Sequence, residues 1–168
     1  MKYLLFISCM WVASVYSQPK DTAICGTYRY EYPDNTPTLN ENHYIVLEQS
    51  EQEGLIGTYY GTTDEFEEAR EGYYPGFFVA KMDSLRIDKD TINFVIKVSN
   101  RDFFKRPVPL QIKTPMEAHK KNLQVWDVAK LTCTSKRYKG LISKKKLFFK
   151  GEEGSLDREF IQDSHGKR

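Results

Sequence analysis

Polar and apolar residues alternate along most of the chain, and the period is two. Ile24 to Tyr32 puts Ile24, Gly26, Tyr28, Tyr30 and Tyr32 on one side and Cys25, Thr27, Arg29 and Glu31 on the other, the pattern of a half-buried strand. His43 to Glu48 and Gly54 to Tyr60 form the next pair, joined by the polar stretch 49–53. Phe77 to Met82 follows, and then Leu85 and Ile87 alternate with Arg86 and Asp88. Lys89-Asp90 turns the chain into Thr91 to Val98, where Ile92, Phe94, Ile96 and Val98 share a face. Tyr138 to Ser143 and Leu147 to Lys150 read as a further hairpin, and the stretch 151–154 leads into Ser155 to Ile161. Short strands at this spacing predict an all-β fold, an antiparallel up-and-down barrel of about eight strands.

Two stretches depart from the alternation. Thr62 to Gly72 has a threonine at its head, early acids and a glycine stop, which predicts one or two helical turns. The stretch 100–134 holds Pro107, Pro109 and Pro115, helical character over Met116 to Lys121, and a predicted strand at Leu123 to Val128.

The first seventeen residues follow another logic. Lys2 precedes the apolar run Tyr3 to Val15, and Val15-Tyr16-Ser17 sets small residues before the polar Gln18. Charge, short apolar core and small-residue cut form the three parts of a secretory signal. The run is too short for the roughly 20 residues of a membrane span. The expected organisation is a signal peptide over 1–17 and a single domain over 18–168, secreted or periplasmic after cleavage near Ser17-Gln18. A second reading places the cut at Cys9, as in a lipidated protein anchored through that residue. Cleavage after Ser17 leaves Cys25 and Cys133, which an oxidising compartment would favour as a disulfide. Closing so long a loop contributes roughly 4 to 5 kcal/mol on the chain-entropy account. Two separate thiols are the alternative.

Composition changes the picture little. The 168 residues carry 25 Lys and Arg against 23 Asp and Glu, a net charge of +2, so neither a nucleic-acid coat nor an acidic tail is indicated. The charges are sorted, however. The stretch 41–72 has nine acids against Arg70, and 97–150 has fifteen cations against Asp102, Glu117 and Asp127. A basic face suits an anionic partner or membrane surface; charges evened out by folding are the plainer reading.

Candidate chemistry is sparse. There is no Gly-x-Ser-x-Gly, no Gly-rich phosphate loop and no His-Glu-x-x-His. His43, His119 and His165 stand far apart. No metal, cofactor or catalytic set is predicted, and acids such as Glu67 and Glu68 read as solvated.

Cys25-Gly26-Thr27-Tyr28 opens the first strand, and Leu156-Asp157-Arg158-Glu159-Phe160 fills the last, with Arg158 on the same face as Phe160. This arrangement resembles lipocalins and their calycin relatives, including avidins, which are up-and-down barrels opening on Gly-x-Trp. In lipocalins a late arginine packs over that Trp. The resemblance implies structural roles for Tyr28 and Arg158 as a cation–π pair closing one barrel end, although Tyr stands where the family has Trp and the middle Thr-Asp-Tyr motif is missing.

A barrel of this size holds side chains or one small ligand. Tyr30, Tyr59, Tyr73, Tyr74, Phe77, Phe94 and Trp126 are the candidate ligand-binding residues, for a small apolar or aromatic compound in the barrel mouth opposite Arg158. The competing class is a secreted or envelope protein-binding module, an inhibitor or adaptor, using Tyr73-Tyr74-Pro75 and the charged faces. No nucleic acid and no membrane span enter either reading.

Overall fold

The computed structural model describes residues 23–31, 43–66, 76–126, 131, 134–151 and 157–163. The predicted signal segment, the Cys9 alternative, Tyr73, Tyr74 and Cys133 lie outside them. Among the described residues the strands are β1 (Gly26–Tyr30), β2 (His43–Ser50), β3 (Gly54–Thr62), β4 (Phe77–Lys81), β5 (Asp83–Asp88), β6 (Thr91–Lys97), β7 (Ser135–Ser143), β8 (Lys146–Phe149) and β9 (Arg158–Gln162). They form one sheet in the order β4-β3-β2-β1-β9-β8-β7-β6-β5, with every neighbouring pair antiparallel. First and last strands pair, so the sheet is an up-and-down barrel, nearly closed, as the alternation predicts.

The remaining seam lies between β4 and β5, and parity explains it. Nine strands cannot all run antiparallel around a ring. β4 and β5 run the same way because they are one path interrupted at Met82, its first part paired with β3 and its second with β6. At the interruption the Met82 N–H still donates to the Gly57 carbonyl at 2.8 Å. Ser84 takes a left-handed φ of 53° beside a register shift between Asp83 and Arg86, a bulge that bends the strand toward its new partner. Gly57 leaves the room this bend needs, since a Cβ there would sit 2.3 Å from Met82 Sδ. Counting the bent path once gives the eight strand directions that the sequence implies.

The inward positions make one aromatic-rich core, including Tyr28, Tyr30, Ile45, Leu47, Tyr59, Phe78, Phe94, Phe149 and Phe160. A second cluster lies outside the wall of β2, β3 and β4, where Val46, Tyr60 and Val79 meet Phe104, Val108, Ile112 and Ala118 of the crossover between β6 and β7. The Tyr60 hydroxyl ties this cover down, within hydrogen-bond reach of the carbonyls of Leu110 at 3.0 Å and Ile112 at 2.9 Å. The crossover carries helix α1 (Pro115–Lys120), which starts at Thr114 because its Oγ1 accepts the Glu117 N–H at 3.2 Å.

Several expectations are corrected. The strand predicted at Leu123 to Val128 is, over its described part, a single bridge from Val125 to Phe104. The helical turn expected in the 62–72 segment is present in its described start, as one 3-10 turn, Thr63–Glu65. Phe77 does not line the interior: Phe78 does, and alternation turns Phe77 outward with Val79, where it bridges Phe104. Among the described residues no helix is long and apolar enough to cross a membrane.

Candidate functional site

The two ends of the barrel are built differently. At one end the chain turns tightly, through 51–53, 89–90 and 144–145. At the other end the connections 31–42, 63–76, 98–134 and 150–157 leave and return. Cross-strand partners Tyr30–His43, Thr62–Phe77, Lys97–Ser135 and Phe149–Arg158 mark this second end.

A carboxylate sits there without solvent. Glu65 ends the 3-10 turn that follows β3, and its side chain is fully buried. Oε1 receives the Tyr59 hydroxyl at 2.8 Å and Arg158 Nη1 in an ion pair, and His43 Nδ1 lies 3.1 Å away. Oε2 receives the Tyr138 hydroxyl. Five strands or turns therefore converge on one acid: β2 through His43, β3 through Tyr59, the turn itself, β7 through Tyr138 and β9 through Arg158. Lys136 Nζ donates to the Glu65 carbonyl at 3.1 Å and stands 5.9 Å from the centre of the Tyr138 ring.

Burial pushes the Glu65 carboxyl up, but the Arg158 guanidinium, with His43 and the Tyr138 hydroxyl, outweighs it and holds the group well below the usual carboxylate range. The same contacts work on the partners. Burial and then the neighbouring Glu65 charge raise the phenols of Tyr59 and Tyr138 well above their ordinary value. For Arg158, burial opposes the charge, and Tyr59, Glu65 and Tyr138 more than restore it, so the guanidinium stays protonated. The cluster is a fixed ion pair framed by two neutral phenols.

Thr62 Oγ1 lies 3.3 Å from His43 Nε2, completing a line of hydroxyl, imidazole and carboxylate. That order also serves nucleophilic catalysis, but Thr62 and His43 are both 0% exposed, and Glu65 is committed to an arginine and two tyrosines. The line orients the cluster and offers no accessible nucleophile. Among the described residues no group of His, Cys, Asp and Glu is placed to hold a metal ion.

The sequence-predicted residues are distributed unevenly around this cluster. Tyr59 is at its centre, within ring contact of His43, Phe78, Phe94, Tyr138 and Phe160. Phe94 stacks on Tyr138 at 4.9 Å, so both lie in the packed interior. Tyr30 sits beside Phe160 and His43 and under the Arg158 guanidinium, 5.9 Å from the ring centre. Trp126 is half-buried at the same end, its backbone N–H bonded to the Phe103 carbonyl at 2.8 Å. It lies so close to Gly76 that a Cβ there would come within 2.2 Å of the indole.

The predicted pairing of Tyr28 with Arg158 is not what forms. The register sets Tyr28 opposite Gln162, four residues from Arg158, or ~13 Å along the strand. Tyr28 instead donates its hydroxyl to the Ile24 carbonyl at 2.7 Å. Burial, then the nearby Cys25, raises its phenol to about 12. Arg158 thus shares an end with the 63–76 connection and does not lie opposite it. Cys25 is half-buried, and its predicted partner Cys133 falls outside the described residues. The acids of 41–72 are not uniformly solvated either, because Glu65 is the most deeply buried charge of the cluster.

Compared with protein families, curated proteins and solved structures, the chain matches none of them.

Proposed function

We infer that the protein is an exported β-barrel that binds a small aromatic or apolar compound carrying a polar group, at the end where the long connections meet. The observation that carries this reading is the Arg158–Glu65 pair. A buried ion pair is a poor device for stability, since well-packed apolar residues serve as well or better. Its burial at the end with long connections is the pattern of a binding site on a rigid scaffold. The Arg158 side chain keeps 15% exposure and uses Nη1 for Glu65 and Tyr59. Nε and Nη2 make no hydrogen bond among the described residues and are available to an acceptor on a ligand. Tyr30 below the guanidinium and Trp126 nearby supply flat apolar surface. Tyr59 and Phe94 are fully packed, so they support the site and do not line it; Tyr73 and Tyr74 belong to the connection that ends here.

Export rests on the Lys2, Tyr3–Val15 and Ser17–Gln18 pattern, and the Cys25–Cys133 bridge rests on export. After cleavage Trp126 is the single tryptophan, so its fluorescence reports directly on this end. Native mass spectrometry of the protein from an exporting host, purified without denaturation, is expected to show one small adduct whose release shifts that emission. An empty barrel with a co-purifying protein would replace this reading with the protein-binding module.

A further inference from the structure

The β7–β8 hairpin has a composition that neither the core nor the charged cluster explains. Between Ser135 and Lys150 the chain carries Lys136, Arg137, Lys139, Lys144, Lys145, Lys146 and Lys150 and no acid. Alternation turns Tyr138, Gly140, Leu147 and Phe149 inward, and sends Arg137, Lys139, Leu141, Lys146 and Phe148 to the outer wall. Leu141 pairs across with Phe148, and Lys146 with Ile161, so apolar and cationic side chains interleave on one surface. Leu141 and Ile161 are 51% and 52% exposed. The contrast with the opposite wall is direct: there the crossover covers β2, β3 and β4. Lys146 is neutralised by Glu159 at 2.8 Å, whereas Arg137, Lys139, Lys144, Lys145 and Lys150 have no ion pair among the described residues. The adjoining β5–β6 turn adds Asp88 and Asp90 with Lys89 between them, too little to cancel five cations.

We propose that this wall docks on an anionic lipid bilayer. Lysine is depleted from protein–protein interfaces, but four to eight lysines and arginines clustered beside apolar side chains are what an anionic leaflet attracts. The long apolar stems of lysine lie along the interface while their ammonium groups reach the phosphates. Leu141 and Ile161 then enter the headgroup boundary. The inference is independent of the ligand at the barrel end.

Vesicle flotation tests it. The purified protein is mixed with phosphatidylcholine vesicles that either contain or lack phosphatidylglycerol, at low and high salt. Binding is expected only with phosphatidylglycerol, and salt should weaken it. Each cation reversed among Lys139→Glu, Lys144→Glu and Lys145→Glu should weaken it at least about fivefold. These exposed changes should leave the circular dichroism and melting of the barrel unaltered, and Leu141→Ser should weaken binding without removing its salt dependence. Wild type and variants share the same N-terminal segment, so their difference reads this wall alone. Equal binding by wild type and the triple variant, or none by either, overturns the proposal. Binding to soluble polyglutamate in place of vesicles would overturn it in favour of an acidic protein partner.

Discussion

At the tight-turn end, polar groups are satisfied by backbone carbonyls. Gln162 Nε2 donates to the Cys25 carbonyl at 3.0 Å, Tyr28 to the Ile24 carbonyl, and the Asp163 N–H to the Thr27 carbonyl at 2.7 Å. These bonds are mostly neutral, and each closes a strand end where a carbonyl would otherwise lack a partner. At the long-connection end the contacts are made between side chains and carry charge: Glu65 meets the guanidinium of Arg158 and the hydroxyl of Tyr138. Only the first end is built as stability alone would require. The second takes an acid and an arginine out of water, a cost that a barrel of this size has no structural need to meet. That difference is the main reason for placing function at the second end.

The largest expected effect comes from splitting the ion pair. Arg158→Ala leaves the Glu65 charge buried without its cation, and Glu65→Gln leaves the guanidinium without its anion. Each should cost roughly 3 to 5 kcal/mol, read by denaturant unfolding. The double change Glu65→Gln/Arg158→Met keeps an oxygen to accept one of the two tyrosine hydroxyls and removes both charges. It should be more stable than Glu65→Gln alone while losing the ligand. If both single changes melt like the wild type, the cluster is solvated and the contrast between the ends disappears.

Acid should find the same end first. The folded Glu65 carboxyl lies below its ordinary value of 4.5, so its contribution is complete above that pH and is lost as pH falls toward its folded value. The melting temperature should drop on acidification, and the drop should be shallower in Glu65→Gln. An identical acid profile in the variant would assign acid unfolding to other carboxylates.

How much of this was legible in the sequence depends on what kind of signal each residue carries. Strand residues announce their face. Arg158 shares the parity of Phe160, which marks it as an inward charge, and His43 shares that of Ile45 and Leu47, which marks its interior position. Glu65 has no such signature: it lies one turn beyond β3, where the period of two has stopped, amid acids that read as solvated. The Tyr28–Arg158 pairing failed for a different reason, because alternation gives the face but not the register, and register decides which residues on a face are level. The split of β4 from β5 at Met82 was visible as two alternating runs, but that they occupy opposite edges of the sheet follows only from closure.

Thr62→Val separates the orienting hydroxyl from the ion pair itself. The change keeps the shape and the β-branch, but removes the hydroxyl that lies 3.3 Å from His43 Nε2. Losing that hydroxyl from a buried site should cost roughly 1 to 2 kcal/mol. Ligand affinity should fall with it, because the imidazole beside Glu65 would no longer be fixed from both sides. A stability loss with affinity unchanged would confine His43 to a packing role.

The smallest effect is expected at the tight-turn end, from Gln162→Ala. Its side chain makes one neutral hydrogen bond, to the Cys25 carbonyl, and the strand pairing of Gln162 with Tyr28 and the bond from its N–H to the Lys145 carbonyl at 2.8 Å are made by backbone. Losing the amide should therefore cost only about 1 kcal/mol, with no change in Trp126 emission or in ligand binding, since the change lies a strand's length from Arg158. The measurement has value because it can fail. Should Gln162→Ala weaken ligand binding as strongly as Thr62→Val does, the two ends are coupled through β9, which carries both Arg158 and Gln162, and the barrel transmits strain along that strand instead of isolating its site from its base.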